Sequence, residues 1–470
     1  MAADQAVPEV MRDGAAAQEP AGGAGGNRDF AKLWAGETVS LIGTQVTLFA
    51  MPLVAILTLN ATVLQVGVLN ALRFVPVIAL SLLAGVWLDR RRRRPVLIAC
   101  SLGNAALIGL VPIASATGML SIGLLYLVTT LVGTLNMVFD VGALSYVPDL
   151  VERRHLSAAN GKLQASTSVA GIAGPGLAGL LIGVLTAPIT LSVDAVSYLF
   201  SAAGLISIRK PESEPEQPAD RVRIRRSIAD GLRAVFGSKL LWTMLAQGTA
   251  LNLFFGAFIT VFVVYAVRVL GLSPFELGIV LGAAAVGGLT GALLATRARQ
   301  AFGLGRIMAI TTIGVSAAPL VLLIPRDAGL LSIAVLVAAK LVYGCSVTLF
   351  NVNAITLRQV VTPRRLLARM NATYRMLLFG AAPFGAITGG LLGGAVGLRA
   401  ALVISVIAMA TPVIWIFISP LYRFTGMPLR PPDTDADGSP HTGQPAQPGT
   451  ANADVPEAAQ AGQRMDGTDE

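Results

Sequence analysis

The chain has 470 residues, 54% of them hydrophobic and 13% charged, with a mean hydropathy of +0.70 and a formal net charge of +9. Soluble domains carry about 25% charged residues, so this balance excludes an ordinary water-soluble domain and calls for lipid as solvent. Only two cysteines and two histidines are present, which leaves little for a disulfide framework, a metal centre or histidine-based catalysis.

Residues 1–27 are rich in Ala and Gly, carry acids and lack a basic segment ahead of an apolar core. They are expected to form a disordered N-terminus and not a cleaved signal peptide, so that the first span acts as its own insertion signal. Apolar runs then recur about twelve times at lengths near 20 residues: 31–57, 64–88, 96–115, 120–145, 161–186, 189–208, 240–267, 275–297, 307–325, 329–355, 370–395 and 399–420. Lipid offers no hydrogen bonds to backbone groups, so these spans must be helices and the fold an all-α membrane protein. A six-helix bundle is expected over 28–208 and a second over 239–420, joined by a linker over 209–238 and followed by a disordered tail over 421–470. In the linker Ile224, Ile228 and Leu232 recur at helical spacing among arginines, the pattern of an amphipathic helix lying on a membrane surface.

One set of loops holds Arg90 to Arg94, Arg153, Arg154, Arg209, Lys210, Arg221 to Arg226, Arg297, Arg299, Arg306, Arg364 and Arg365, whereas the other holds Arg268, Arg326 and Arg399. The positive-inside rule assigns the first set, both termini and the linker to the cytoplasm, hence a multi-pass protein of the cell membrane. Arginines that alternate with spans serve topology, and nucleic acid is not an expected partner. No Gly-x-x-x-x-Gly-Lys-Ser/Thr loop and no nucleophile–base–orienter set is present, so neither ATP drive within this chain nor enzyme chemistry is expected, and no cofactor or metal is implied.

The halves resemble each other at a fixed offset of 211 residues: Phe139-Asp140-Val141-Gly142-Ala143-Leu144 matches Phe350-Asn351-Val352-Asn353-Ala354-Ile355, and Gly67, Gly133, Gly179 and Gly183 match Gly278, Gly344, Gly390 and Gly394. An even number of spans per half makes this a parallel repeat about an axis along the membrane normal, with room for a cavity between the halves.

Between the second and third spans runs Gly85-Val86-Trp87-Leu88-Asp89-Arg90-Arg91-Arg92-Arg93-Arg94. Gly85 permits close helix contact, Asp89 can accept from the positive end of a neighbouring helix, and Arg90, Arg93 and Arg94 can pair with a carboxylate on another helix. Asp140, near the inner end of the fourth span, is the expected partner of Arg93 in an inner gate that parts when the protein opens inward. The fifth span carries Gly171, Gly174, Pro175 and Gly179, which allow bending and close packing.

These segments resemble the loop motif and the antiporter motif of the major facilitator superfamily. Together with Leu33 to Ser40, Val147-Pro148-Asp149-Leu150, Val193 to Ser197 and Thr356-Leu357-Arg358-Gln359, they are similar to its twelve-span drug:proton antiporters, in the macrolide-efflux and enterobactin-exporter-like branch. The resemblance covers roughly 28–420. It departs where Arg92 replaces a glycine of the loop motif and where the fourth span lacks the buried arginine of other drug-antiporter branches. It implies a monomeric exporter of small, fairly apolar compounds driven by proton entry, with bilayer, protons and a small-molecule substrate as partners. An importer of the same fold and a non-transporting receptor are the alternatives.

Ionisable residues inside spans are costly and are functional candidates by default. Glu37 in the first span is the expected proton carrier, because burial disfavours the charged carboxyl and brings its proton exchange toward neutrality. Asp194 in the sixth span, Arg73 one turn from Asn70 in the second, and Arg375 in the eleventh are further candidates for proton or substrate binding. Lys340 in the tenth span is a candidate cavity cation.

Asp89→Asn should leave membrane abundance unchanged and impair transport. Efflux rate and abundance measured in the same cells check this, and normal efflux at normal abundance would remove Asp89 from the gate.

Overall fold

The computed structural model describes residues 28–88, 91–212, 229, 232–363 and 366–419. The expected N-terminal and C-terminal segments, Asp89, Arg90, and the linker stretch with Ile224 and Ile228 lie outside the described residues, although 232–236 at the linker's end are helical.

Eleven described helices are long and apolar enough to cross a membrane, and a shorter apolar one, Leu398–Ile414, follows them. The first span is Arg28–Leu53, closed by a π-helical turn over Val54–Thr58. The second is two helices, Val63–Leu72 and Val75–Leu88, broken just ahead of Pro76, which has no N–H to continue the ladder. The third to sixth are Arg93–Ala116, Ile122–Leu150, Leu156–Leu185 and Ala187–Ile206. The seventh to tenth are Lys239–Arg268, Pro274–Phe302, Leu304–Val321 and Leu330–Val361. The eleventh is Leu367–Gly380 with Ala382–Val396, interrupted beside Pro383. The twelfth, Leu398–Ala410, tightens into a 3-10 turn at Thr411–Ile414, where Pro412 breaks the α-ladder, and ends as Trp415–Ile418. The fourth and tenth helices run past the expected ends of their spans at 145 and 355, to Leu150 and Val361, the fourth in spite of Pro148. Outside the spans, Asp327 accepts from Gly329 N–H at 3.0 Å and Ser332 Oγ at 2.6 Å, and the Ser332 hydroxyl above all holds its carboxyl below the ordinary range.

The offset of the sequence repeat recurs in local geometry. Thr62 and Gln65 form a capping box at the start of the second span, and Ser273 and Glu276 form its counterpart at the start of the eighth. Gly397 bends the chain into the twelfth span at φ +82°, and its counterpart Thr186 holds φ +98° ahead of the sixth.

Two of the matched pairs, Gly67 with Gly278 and Gly179 with Gly390, are contact points between the halves, whereas a Cβ on Gly183 or Gly394 would have no neighbour within 4 Å among the described residues. A Cβ on Gly67 would strike the carbonyl of Ala386, and one on Gly390 would fall 2.8 Å from Leu64 Cα, so the second and eleventh spans meet backbone to backbone. The counterpart seam joins the eighth and fifth spans, where a Cβ on Gly278 would strike the Pro175 carbonyl and one on Gly179 the Pro274 carbonyl. In lipid, burial of apolar surface does not drive helices together, and small residues that admit close van der Waals contact do.

These seams lie at the arginine-poor end. There a single core runs through both halves, from Val46, Leu53, Val66 and Leu69 to Val261, Val264, Leu277 and Val280. Asn70 Nδ2 donates to Thr260 Oγ1 at 3.2 Å and Arg268 Nη2 to the Ala61 carbonyl at 2.8 Å, both across the halves. At the arginine-rich end the cores are separate: Phe30, Leu97, Tyr146 and Leu150 belong to the first half, whereas Leu304, Met308 and Leu357, and likewise Leu241, Met370 and Tyr374, belong to the second.

Gly278→Ala should open this seam without unfolding either half, since overpacking of this kind costs about 1–3 kcal/mol. The reporter is a cysteine at Ala61, which is 2% exposed at the same end, in a chain lacking Cys100 and Cys345. It should gain reactivity toward an impermeant thiol reagent. Unchanged protection would show that the contact at Gly278 does not hold the end shut.

Candidate functional site

Three of the sequence candidates, from three spans, converge. Glu37 is half-buried on the first span, and its Oε2 is buried without a hydrogen-bond partner among the described residues. Asp140 on the fourth span lies within electrostatic reach of Glu37, and Arg375 on the eleventh within reach of Asp140. Asp140 and Arg375 are both exposed. The cluster thus joins two carboxyls of the first half to one guanidinium of the second. Like charges repel between Glu37 and Asp140, and opposite charges attract between Asp140 and Arg375.

The surroundings fix these groups. Trp34 Nε1 donates to Ser166 Oγ at 3.0 Å, Thr38 Oγ1 lies 2.8 Å from the same oxygen, and Lys162 Nζ stands 5.5 Å from the Trp34 ring centre. The helix face next to Glu37 is therefore pinned to the fifth span. On the other side Arg358 stacks over Tyr374, 3.9 Å from the ring centre, and shares a hydrogen bond with it, so its charge is held within the second half beside Arg375. Sequence reasoning did not single out Arg358 as a site residue. Its position in Thr356-Leu357-Arg358-Gln359, one turn inside the end of a span, was the available signal.

Asp194 lies apart from this cluster. It is 0% exposed, in the interior of the first half. Thr47 Oγ1 donates to its Oδ2 and Ser197 Oγ to its Oδ1 at 2.9 Å, and Gly43 leaves the space it occupies, because a Cβ there would collide with Asp194 and Ser197. Asn70 and Arg73 are also elsewhere. Asn70 bridges the halves, whereas Arg73 stands at the break in the second span, 5.1 Å from the ring centre of its neighbour Phe74.

Arg93 donates to Asp149 Oδ2 at 3.0 Å and to the Ser145 carbonyl at 3.1 Å. In this arrangement Arg93 meets Asp149, and Asp140 lies within electrostatic reach of Arg375, so the Asp140–Arg93 pair expected of a closed inner gate is not formed here. Arg94 closes the end of the sixth span by donating to the carbonyls of Leu205 at 2.9 Å and Ile206 at 2.7 Å. The linker's Glu212 accepts from the backbone N–H groups of Arg93 and Arg94, placing a carboxylate on the positive end of the third span. Gly85 lies within the helical second span. In the fifth span Gly174 packs on Gln45 of the first, while Pro175 and Gly179 form the seam with the eighth. Gly171 makes only ordinary contact, with Ala285 Cβ 3.9 Å from where its own Cβ would stand. Among the described residues no group of three or more His, Cys, Asp or Glu converges as metal ligands would. The cluster can bind and release protons and change the attraction between halves.

Comparison with known proteins shows which family and fold the chain shares. The chain is 27% identical over 381 residues to the multidrug efflux pump Tap of Mycolicibacterium fortuitum, covering 79% of this chain and 89% of that protein. It is 24% identical over 222 residues to macrolide efflux protein A of Streptococcus pyogenes, covering 47% of this chain and 54% of that one. The structure resembles the crystal structure of the nucleoside transporter NupG with a TM-score of 0.63 at 14% identity, covering 83% of this chain and 98% of that one, a likeness of fold alone. The family model described as Major Facilitator Superfamily matches residues 33–377. With this match across most of its spans, the chain is a member of the Major Facilitator Superfamily.

Proposed function

We propose that this transporter exports small, fairly apolar, drug-like compounds from the cytoplasm across the cell membrane by alternating access, exchanging them for protons. The observation that carries the reading is the cluster of Glu37, Asp140 and Arg375, in which protonatable groups of one half face a fixed cation of the other. The efflux-pump relatives support export, and the arginine-rich loops support a cytoplasmic location for the end where the cores are separate.

In this reading the structure is open to the cytoplasm. When Glu37 loses its proton, the two carboxylates draw Arg375 toward the first half and the cytoplasmic end closes. The halves then part at the glycine seams, and the substrate leaves outward. Glu37 takes a proton from the outer side, an O–H bond forms on its carboxyl, and the pull on Arg375 weakens. The cytoplasmic end reopens, and the proton leaves to the less acidic cytoplasm. Each ligand thus acts by binding one arrangement of the halves better than the other, as any ligand-driven shift requires.

Glu37→Gln should lower gradient-driven export by roughly tenfold or more, the effect of about 1.4 kcal/mol of lost coupling, while counterflow of substrate continues. Uptake into everted vesicles with and without an imposed proton gradient measures both. Unchanged gradient-driven uptake would exclude Glu37 as the carrier and pass the role to Asp140 or Asp194.

A further inference from the structure

Lys340 is 3% exposed in the tenth span, and it forms no hydrogen bond or ion pair with any other described residue. Three aromatic rings surround it instead. Its Nζ lies 4.8 Å from the ring centres of both Phe258 and Phe262 of the seventh span and 5.9 Å from that of Tyr343. Phe255 stacks on Tyr343 with centres 5.8 Å apart and planes 8° apart. Phe258 and Phe262 are fully buried, whereas Phe255 and Tyr343 are half-buried and form a rim.

A box of ring faces attracts a cation through the quadrupoles of its walls, and its best-known use is recognition of alkylated ammonium groups. Lysine is a poor tenant for such a box. Its head carries several N–H donors and is strongly hydrated, and among the described residues no acceptor hydrogen-bonds to them. A quaternary ammonium has no donors to leave unmet, and its apolar methyl groups suit ring walls. The chemistry of the box therefore fits an N-alkylated ammonium better than it fits the side chain inside it.

We propose that Phe258, Phe262 and Tyr343 form a binding box for the alkylated ammonium group of a substrate, and that Lys340 occupies this box as a tethered stand-in when no substrate is bound. The long flexible stem of lysine lets the head swing out as a ligand enters past Phe255 and Tyr343 and return when it leaves. The proposal names the charge class of compounds under the transport reading above. It rests on that reading only for its biological use, because binding is measured without transport.

The test uses the purified full-length protein in detergent, with benzyltrimethylammonium as probe and neopentylbenzene, its uncharged isostere, as control. Lys340→Ala should bind the cation at least tenfold more tightly than the unaltered protein and prefer it over the isostere. Adding Phe262→Leu to Lys340→Ala should remove the gain. Equal affinity of Lys340→Ala for probe and isostere would mean a void filled by shape alone and would overturn the proposal, as would no gain at all. If Lys340→Ala does not elute as a folded monodisperse protein, Phe262→Leu in the otherwise unaltered chain decides: probe binding should weaken at least tenfold, and no binding to the unaltered protein or no weakening overturns the proposal. Failure of the Glu37→Gln prediction leaves these binding outcomes standing, so the two readings fail separately.

Discussion

The architecture depends on backbone meeting backbone at Gly67, Gly390, Gly278 and Gly179. Lipid gives apolar helices no reason to associate, so two bundles stay together only where side chains are small enough to let the helices touch. Both seams lie at one end, and the two hydrogen bonds from Asn70 and Arg268 cross there as well. Because the other end has separate cores, the pair of bundles has a natural axis of rocking, and the repeat makes the two seams equivalent. A packed seam is bistable, so a small change in attraction elsewhere can decide whether it is kept.

In the proposed mechanism that change comes from charge, where Glu37 and Asp140 of the first half come near Arg375 of the second. The ion pair at the arginine-rich end, Arg93 with Asp149, stays within the first half and holds the third span to the fourth. Arg94 and Glu212 likewise tie helix ends of that half to the linker. The arginine loop thus stiffens the first half, and the contact proposed to sense protons is a separate one, on charges within spans, where an unbalanced charge is costly.

Much of this was legible in the sequence. Span count, helical class and repeat followed from hydropathy and a constant offset, and two of the four glycine pairs that matched at that offset, Gly67 with Gly278 and Gly179 with Gly390, became the seams, whereas Gly183 and Gly394 meet nothing within 4 Å among the described residues. Glu37, Asp140 and Arg375 were readable one by one as charges inside spans. Their convergence was not, because it depends on the rotation of three helices about their axes. Depth alone pairs Asp140 with Arg93 and does not say which face a side chain takes; in this arrangement Arg93 meets Asp149, two and a half turns onward, as a gate that parts on inward opening allows. Asp194 had the residue type of a proton carrier, yet Thr47, Ser197 and the space left by Gly43 show it held within one half.

The central claim is that loss of protons from the carboxyl pair draws Arg375 across and closes the arginine-rich end. Spin labels at Glu152 and Phe302, both exposed at that end and one on each half, report it by pulsed electron double resonance in a chain lacking Cys100 and Cys345. The distance between them should shorten when the pH is raised, and both Asp140→Asn and Arg375→Gln should abolish the shortening and leave the long distance at every pH. Shortening that survives both substitutions would contradict the account.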